Sequence, residues 1–469
     1  KKTKSITIRS IPMRTIIPEI EDIVNFFSSE TIESIARETG FVQRKSKLGG
    51  TEFLGMMTQG LYFRPDASLD QLVSMGKDIN ESLEISPEGL HQRISSSGVE
   101  FLKKMLSVAL ELSVSRLIDE SVPEILRQFH KVHLLDSTQT SLPEELREIW
   151  IGSGGCASES AMKFHLMLDY KNGKYEDISI TDGISPDQNY IDEAIKRLNS
   201  GELLIDDLGY FKQEAVMDID QKGAYFLCRF NHRNDLYTEK DSNLVKFDLM
   251  NELMQAQKGG ICDFDVWFSK HGRKLKIRLV CKVAPEEVAR NRRKNAMKIA
   301  KKKGRKPTKK HLFFLGWDLY ITNIDRSMLE AKSVDLVHKV RWYIELVFKS
   351  WKSYHGLEQV RGKRKERIEC FIYGRLIMMV IMAFLSGSVR YYLWSTKRRE
   401  ASFLKVVRHF QVKAHKFLCL MLDPVALARF LLDEFLEACR LCKMDIRKRL
   451  STAQKLRDTQ ITCGSTTLA

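Results

Sequence analysis

The sequence predicts an α/β fold: a strand-rich core, split by a mainly β insertion, with helical regions at both ends. Three observations carry that expectation. Apolar residues recur at helical spacing before about residue 125 and again after about residue 361. Between these stretches lie short alternating or wholly apolar runs with the lengths of strands. Two of those runs, Lys131–Asp136 and Glu202–Asp207, end in aspartate, which puts carboxylates at strand ends.

A chain of 469 residues is too long for one ordinary domain. The expected boundaries are 1–125 for the first helical region, 126–230 for the first part of the core and 231–330 for the insertion. Residues 331–360 form a helix that completes the core, and 361–469 form the second helical region. Hydrophobic residues make up 43% of the chain, enough for sizeable cores and unlike a disordered composition. The net charge of +16 calls for a polyanionic partner, nucleic acid or an acidic membrane surface. A membrane is not expected: the most apolar run, Leu376–Leu385, is too short to span and is flanked by Arg375 and Arg390, so it reads as a buried helix. No signal peptide is visible in Lys1–Ile20, and the absence of a starting methionine suggests a missing start. Nine cysteines without a regular framework suit a reducing cytoplasm. Cys439 and Cys442 form a lone CxxC, read as two thiols on a helix rather than a zinc site.

In chain order, Ser68–Met75 is amphipathic. Ser86 and Pro87 then read as N-cap and first residue of a short helix to about Ser96 that carries His91 and Arg93. A longer helix follows, with Phe101, Leu102, Met105, Leu106 and Ala109 on one face. Short helix, turn, short helix suits a helix-turn-helix DNA reader and equally a plain bundle. Arg44, Lys45 and Lys47 add a basic patch. The core is expected to hold strands at Lys131–Asp136, Lys163–Tyr170, Lys174–Thr181, Glu202–Asp207 and Ala224–Phe230, with a helix at Gln188–Leu198. Gly152, Gly154 and Gly155 lie in the loop between the first two strands, expected to be mobile. Three strands, a helix, a strand, a helix and a strand is the order of a ribonuclease-H-like fold.

The insertion is expected to hold strands at Ile261–Ser269, Lys274–Val283 and Leu312–Thr322. It also contains Arg290–Lys310, with twelve Lys or Arg among twenty-one residues and no acid, read as a basic loop. At this density self-repulsion favours nucleic-acid phosphate as the counter-charge, with Arg292, Arg293, Lys301, Lys302, Lys303, Arg305 and Lys306 as candidate contacts. Trp317 beside it could pack or stack on an unpaired base. A second basic cluster spans Arg361, Lys363, Arg364, Lys365 and Arg367, and the tail after Thr452 reads as disordered.

The stretch His338–Lys352 reads as a two-faced helix. Val337, Val340, Ile344, Val347 and Trp351 form an apolar stripe; His338, Arg341, Glu345, Lys349 and Lys352 form a second stripe about 100° away. Taken alone, the second stripe is an exposed ladder of ion pairs. Together with Asp136 and Asp207, Glu345 makes a third carboxylate, a set of oxygen ligands suited to hard divalent cations. Two such ions can activate an attacking oxygen and stabilise a leaving one in phosphodiester chemistry. Arg341, Lys349 and Lys352 would then hold non-reacting phosphates.

These residues resemble the DDE transposases of bacterial insertion sequences, in particular insertion-sequence family four. That family's signature is Tyr-x2-Arg-x3-Glu-x6-Lys, matched here by Arg341, Glu345 and Lys352 at the correct spacings. Leu135-Asp136-Ser137-Thr138 is similar to its first-aspartate motif and Asp207-Leu208-Gly209-Tyr210 to its second, which selects Asp207 over Asp206. The signature tyrosine, which in the family helps hold a phosphate of the transposon end, is replaced by His338, a weaker hydrogen-bond donor to phosphate when neutral.

The resemblance implies an endonuclease of DNA transposition and recombination that binds the terminal inverted repeats of its element. It would carry two Mg²⁺ ions, or Mn²⁺, on Asp136, Asp207 and Glu345, cut the ends and join them to target DNA through a hairpin. It also implies DNA-end binding by the N-terminal helices, a flipped base held by an aromatic residue for which Trp317 is the candidate, and a homodimer formed through the C-terminal helices. The setting would be the bacterial cytoplasm, at the nucleoid. Two other readings remain: a nuclease on the same fold, and a catalytically impaired relic that only binds DNA.

Overall fold

A computed structural model describes residues 17–44, 47–112, 122–155, 158–256, 260–360, 362–445 and 451–457. Lys45, Arg361 and residues 458–469 of the tail lie outside the described residues, while Thr452–Arg457 is helical rather than disordered. Among the described residues the strands are β1 (Val132–Ser141), β2 (Ala161–Asp169), β3 (Tyr175–Asp182), β4 (Leu203–Ile205), β5 (Tyr225–Arg229), β6 (Tyr237–Lys240), β7 (Asn243–Lys246), β8 (Ile261–Lys270), β9 (Arg273–Val283) and β10 (Trp317–Thr322). The chain forms two compact units: residues 1–121, 138–185 and 344–447 in the first, and 122–137, 186–343 and 448–469 in the second.

The first unit is mainly helical. Ser68 caps the Leu69–Ile79 helix reciprocally, accepting from the Gln71 backbone at 3.2 Å while its own N–H donates to the Gln71 side chain at 3.0 Å. Ser86 caps Pro87–Arg93 through the Gly89 N–H at 3.1 Å, and the next helix runs Ser96–Glu111. Arg93 donates to the Phe41 carbonyl at 2.6 Å and stacks on the Phe41 ring, so this cation is held by the unit's own interior. The expected buried helix at Leu376–Leu385 is the middle of a much longer one, Lys365–Lys397. It is long and apolar enough to cross a membrane, but 89% of its most apolar window is buried within the protein. It packs against Ser96–Glu111 and against a π-helical turn at Met56–Gly60. The approach is close enough that a Cβ on Gly374 would collide with the Met57 carbonyl oxygen. Phe403–Cys419 and Pro424–Leu441 complete the bundle, with Cys439 and Cys442 as buried free thiols. Strands β2 and β3 form an antiparallel pair in this unit.

The second unit is built on a sheet in the order β1-β4-β5-β10-β9-β8-β6-β7. β1, β4 and β5 are parallel neighbours. β4 is buried along its whole length, as its Leu203-Leu204-Ile205 run predicts for a strand covered on both faces. β10 pairs antiparallel with both β5 and β9, so the insertion extends the core sheet edge to edge. The expected Leu312–Thr322 strand is a capped helix, Lys309–Phe314, followed by β10, because Thr308 accepts from the His311 N–H at 3.1 Å and starts a helical turn. The basic stretch is likewise a helix over most of its length, Glu286–Lys302. With a further helix at Leu249–Gln255, the insertion is mixed α and β rather than mainly β.

Candidate active site

Register within the second unit brings two aspartates level. Leu134 of β1 is paired with Ile205 of parallel β4. Two residues beyond that pair lie Asp136, in the middle of β1, which runs on to Ser141 rather than ending at the aspartate as expected, and Asp207, just past the end of β4. Asp207 is half-buried, whereas Asp206 is buried, with Cys228 of β5 as its neighbour. Burial, and next the charge of Asp207, push the Asp206 carboxyl up to about 8. Its Oδ1 has no hydrogen-bond partner among the described residues. Asp206 is thus a core group largely protonated at neutral pH, whereas Asp207 is half-buried.

Asp136 accepts from the Ser137 N–H at 2.9 Å and forms an ion pair with Arg341, itself only 9% exposed. Ser137 donates its hydroxyl to Asp187 at 3.0 Å. Sequence reasoning missed Asp187; it lies in a short 3₁₀ turn without a strand-end signal. A Cβ on Gly209 would sit 3.1 Å from the Asp187 carboxylate, so this glycine lets the Asp207 loop run close to that acid. Tyr210 is buried, and its N–H donates to the Asp207 carbonyl at 3.0 Å, which closes the loop into a turn.

The helix predicted over His338–Lys352 is interrupted. Ala331–His338 gives way to a 3₁₀ turn at Lys339–Arg341, and a second helix runs Trp342–Ser353. The expected exposed stripe therefore does not form along its whole length. His338 is buried against Tyr320, and its Nε2 donates to the Asp206 carbonyl at 3.1 Å. Burial lowers its pKa to about 4, so it is neutral at pH 7 and ties the start of the 3₁₀ turn to the Asp206 backbone after β4. One turn earlier Asp335 receives Lys282 at 2.7 Å, Lys339 at 2.8 Å and the Tyr320 hydroxyl at 2.9 Å.

Burial alone would raise the Asp335 pKa, but those three donors hold it at about 2. The buried Glu202 is held at about 2 against its own burial by His133 and Asn199. Both folded-state values lie below the unfolded ones, so the stabilisation is present above about pH 4.5 and is lost as pH falls towards about 2. Each acid contributes about 2–3 kcal/mol. The urea midpoint of the protein should drop steeply between about pH 5 and 2.5. Asp335→Asn should flatten that drop; an unchanged profile would show that the cluster does not act this way.

Glu345, Lys349 and Lys352 belong to the first unit. Glu345 is exposed in the first turn of Trp342–Ser353, and Lys349 is exposed one turn on. Lys352 donates to the Gln139 carbonyl at 3.4 Å and pairs with Glu358 at 2.8 Å. The apolar stripe holds: Val337, Val340, Ile344, Val347 and Trp351 are all buried. Trp351 is fully enclosed, edge-on to Tyr175 and Phe348, and donates to the Tyr175 hydroxyl at 3.3 Å.

Among the described residues no three His, Cys, Asp or Glu side chains are gathered as a metal cluster. The level pair Asp136 and Asp207 nevertheless offers only carboxylate oxygens, the donor chemistry that a hard divalent cation takes.

In the basic helix Glu286–Lys302, Arg292 donates to Asp318 at 2.7 Å and Arg293 to the Leu312 carbonyl at 3.2 Å. Both therefore serve the fold, while Lys301, Lys302, Lys303, Arg305 and Lys306 are exposed. Trp317 is half-buried at the start of β10, its ring centroid 6.4 Å from that of Phe313.

Residues 127–381 match the family described as "Transposase DDE domain". The chain is 28% identical over 416 residues to the transposase for insertion sequence element IS231F of Bacillus thuringiensis subsp. israelensis, covering 86% of each chain. It is 27% identical to the transposase for insertion sequence element IS1151 of Clostridium perfringens, over 82% of this chain and 84% of that one. The cryo-EM structure of a piggyBac transposase synaptic complex with hairpin DNA aligns with a TM-score of 0.46 at 11% identity, over 95% of this chain and 89% of that one.

Proposed function

From the premise that the chain belongs to the transposase DDE-domain family, and is thereby an enzyme of DNA cleavage and strand transfer, we propose that it binds the terminal inverted repeats of an insertion sequence, cuts them and joins them to target DNA. The observation that carries this reading is the register that sets Asp136, within β1, level with Asp207, just past the end of the adjoining parallel strand β4.

The family implies dependence on a divalent metal. Asp136, Asp207 and Glu345 are the residues proposed to hold it, as two Mg²⁺ or Mn²⁺ ions. Cations held there supply Lewis acidity for an in-line displacement at phosphorus. The chain's own groups do the rest. Arg341, buried beside Asp136, balances the carboxylate charge before DNA arrives and orients the side chain. Lys349 and Lys352 hold non-reacting phosphates. His338, neutral and bonded to the Asp206 carbonyl, positions the strand end from beneath rather than contacting phosphate as the signature tyrosine does. The core is read as ribonuclease-H-like, a reading supported by parallel β1, β4 and β5. The N-terminal helices are assigned to end binding, the C-terminal helices to a homodimer, Trp317 to a flipped base and the hairpin route to end release, in the bacterial cytoplasm at the nucleoid.

The test is a strand-transfer assay with full-length protein, a labelled duplex carrying the element's end and a target plasmid. Metal-dependent cleavage followed by joining is expected. Cleavage without joining would favour a nuclease, and binding without either would favour a relic.

A further inference from the structure

The Glu286–Lys302 helix has two chemically different faces. At about 100° per residue, Ala289, Arg292, Arg293, Ala296 and Ala300 share one side. Ala289 and Ala300 are buried there, and both arginines are held by the protein itself. On the opposite side Asn291, Lys294, Asn295, Lys298 and Lys301 form one stripe around a depression that Met297 also lines. Glu287, in the helix's first turn, lies at the N-terminal end of this stripe, and no acid occurs in the sequence from Val288 to Trp317, so the stripe is uniformly basic or neutral from Asn291 to Lys301.

A stripe used only for solubility would not need asparagine, a poor helix former, at two positions one turn apart. Asparagine offers a paired donor and acceptor that match the N6 and N7 edge of adenine in the major groove. A helix with its side chains is about 10–12 Å across, and the major groove is about 12 Å wide. Lysines at i+3 and i+7 from Asn291 flank the asparagines where phosphates border a groove.

We propose that this helix enters the major groove of the element's end DNA, with Asn291 and Asn295 reading adenines and Lys294, Lys298 and Lys301 holding the adjoining phosphates. The basic stretch thereby becomes a sequence-reading element rather than a non-specific counter-charge. The assignment rests on the transposase reading for the identity of the DNA, not for the contact itself.

The test is in vitro selection from a duplex library with a randomised core, using full-length protein, followed by salt titrations on a selected and an arbitrary duplex. Asn291→Ala/Asn295→Ala keeps the helix, since alanine is the stronger helix former. It should lose roughly 5–100-fold preference at one or two adenines and bind the arbitrary duplex as before. Lys294→Ala/Lys298→Ala should weaken both duplexes and reduce the slope of log K against log salt by about 2. An unchanged selected motif in the asparagine variant overturns base reading, and an unchanged slope in the lysine variant overturns the surface. If wild-type protein selects a motif through these residues but neither cuts nor joins ends that carry it, the transposase reading fails while this one stands.

Discussion

Asp136→Asn, Asp207→Asn and Glu345→Gln should each abolish end cleavage, lowering the rate at least about 10³-fold, while DNA binding stays within a few-fold of wild type. Each substitution keeps the side chain's size and removes the charge that a divalent cation needs. For Asp136 a second effect accompanies the first: Asp136→Asn also removes the carboxylate that the buried Arg341 pairs with. Breaking a buried ion pair by neutralising one partner costs several kcal/mol, so this variant alone should also lose thermal stability. Cleavage gels and binding isotherms on the same preparations separate the two effects. Loss of binding in parallel with cleavage in all three variants would point to a structural role instead.

The second large effect is on folding. Trp351→Ala removes the largest fully buried side chain of the first unit. It deletes two edge-on aromatic contacts and the indole donor to the Tyr175 hydroxyl. A cavity of this size costs about 3–5 kcal/mol. Because Trp351 stands on the helix that carries Glu345, Lys349 and Lys352, the variant should lose both stability and cleavage. Trp351→Phe, which refills most of the cavity, should restore most of both. A Trp351→Ala protein with an unchanged urea midpoint would contradict the packing described.

Much of this site was legible in the chain because strand ends and helix stripes leave periodic traces. Leu203-Leu204-Ile205 announced a strand buried on both faces and an aspartate at its end, but position left Asp206 and Asp207 open, and only the resemblance to the family's second-aspartate motif chose Asp207. The 3₁₀ turn at Lys339–Arg341 left no such trace. A three-residue turn keeps Val337, Val340 and Ile344 on one side almost as an α-helix would, so the apolar stripe survived while the polar one broke and buried His338 and Arg341. The helix of the basic stretch was hidden by its charge. The signal that could have revealed it is the spacing of Ala289, Ala296 and Ala300, which marks a buried face opposite the lysines. Asp187 was beyond sequence reasoning altogether, since only the fold brings it to Ser137.

Of the two aspartates after β4, Asp207 is proposed to do the chemistry and Asp206 to belong to the core. Nicking time courses of Asp206→Asn and Asp207→Asn on one end duplex, side by side in Mg²⁺, test this assignment most directly. Asp206→Asn should cut at close to the wild-type rate, because its carboxyl is already largely protonated at neutral pH, and Asp207→Asn should not cut. The reverse outcome, with Asp206→Asn inactive and Asp207→Asn active, would assign the chemistry to Asp206 instead.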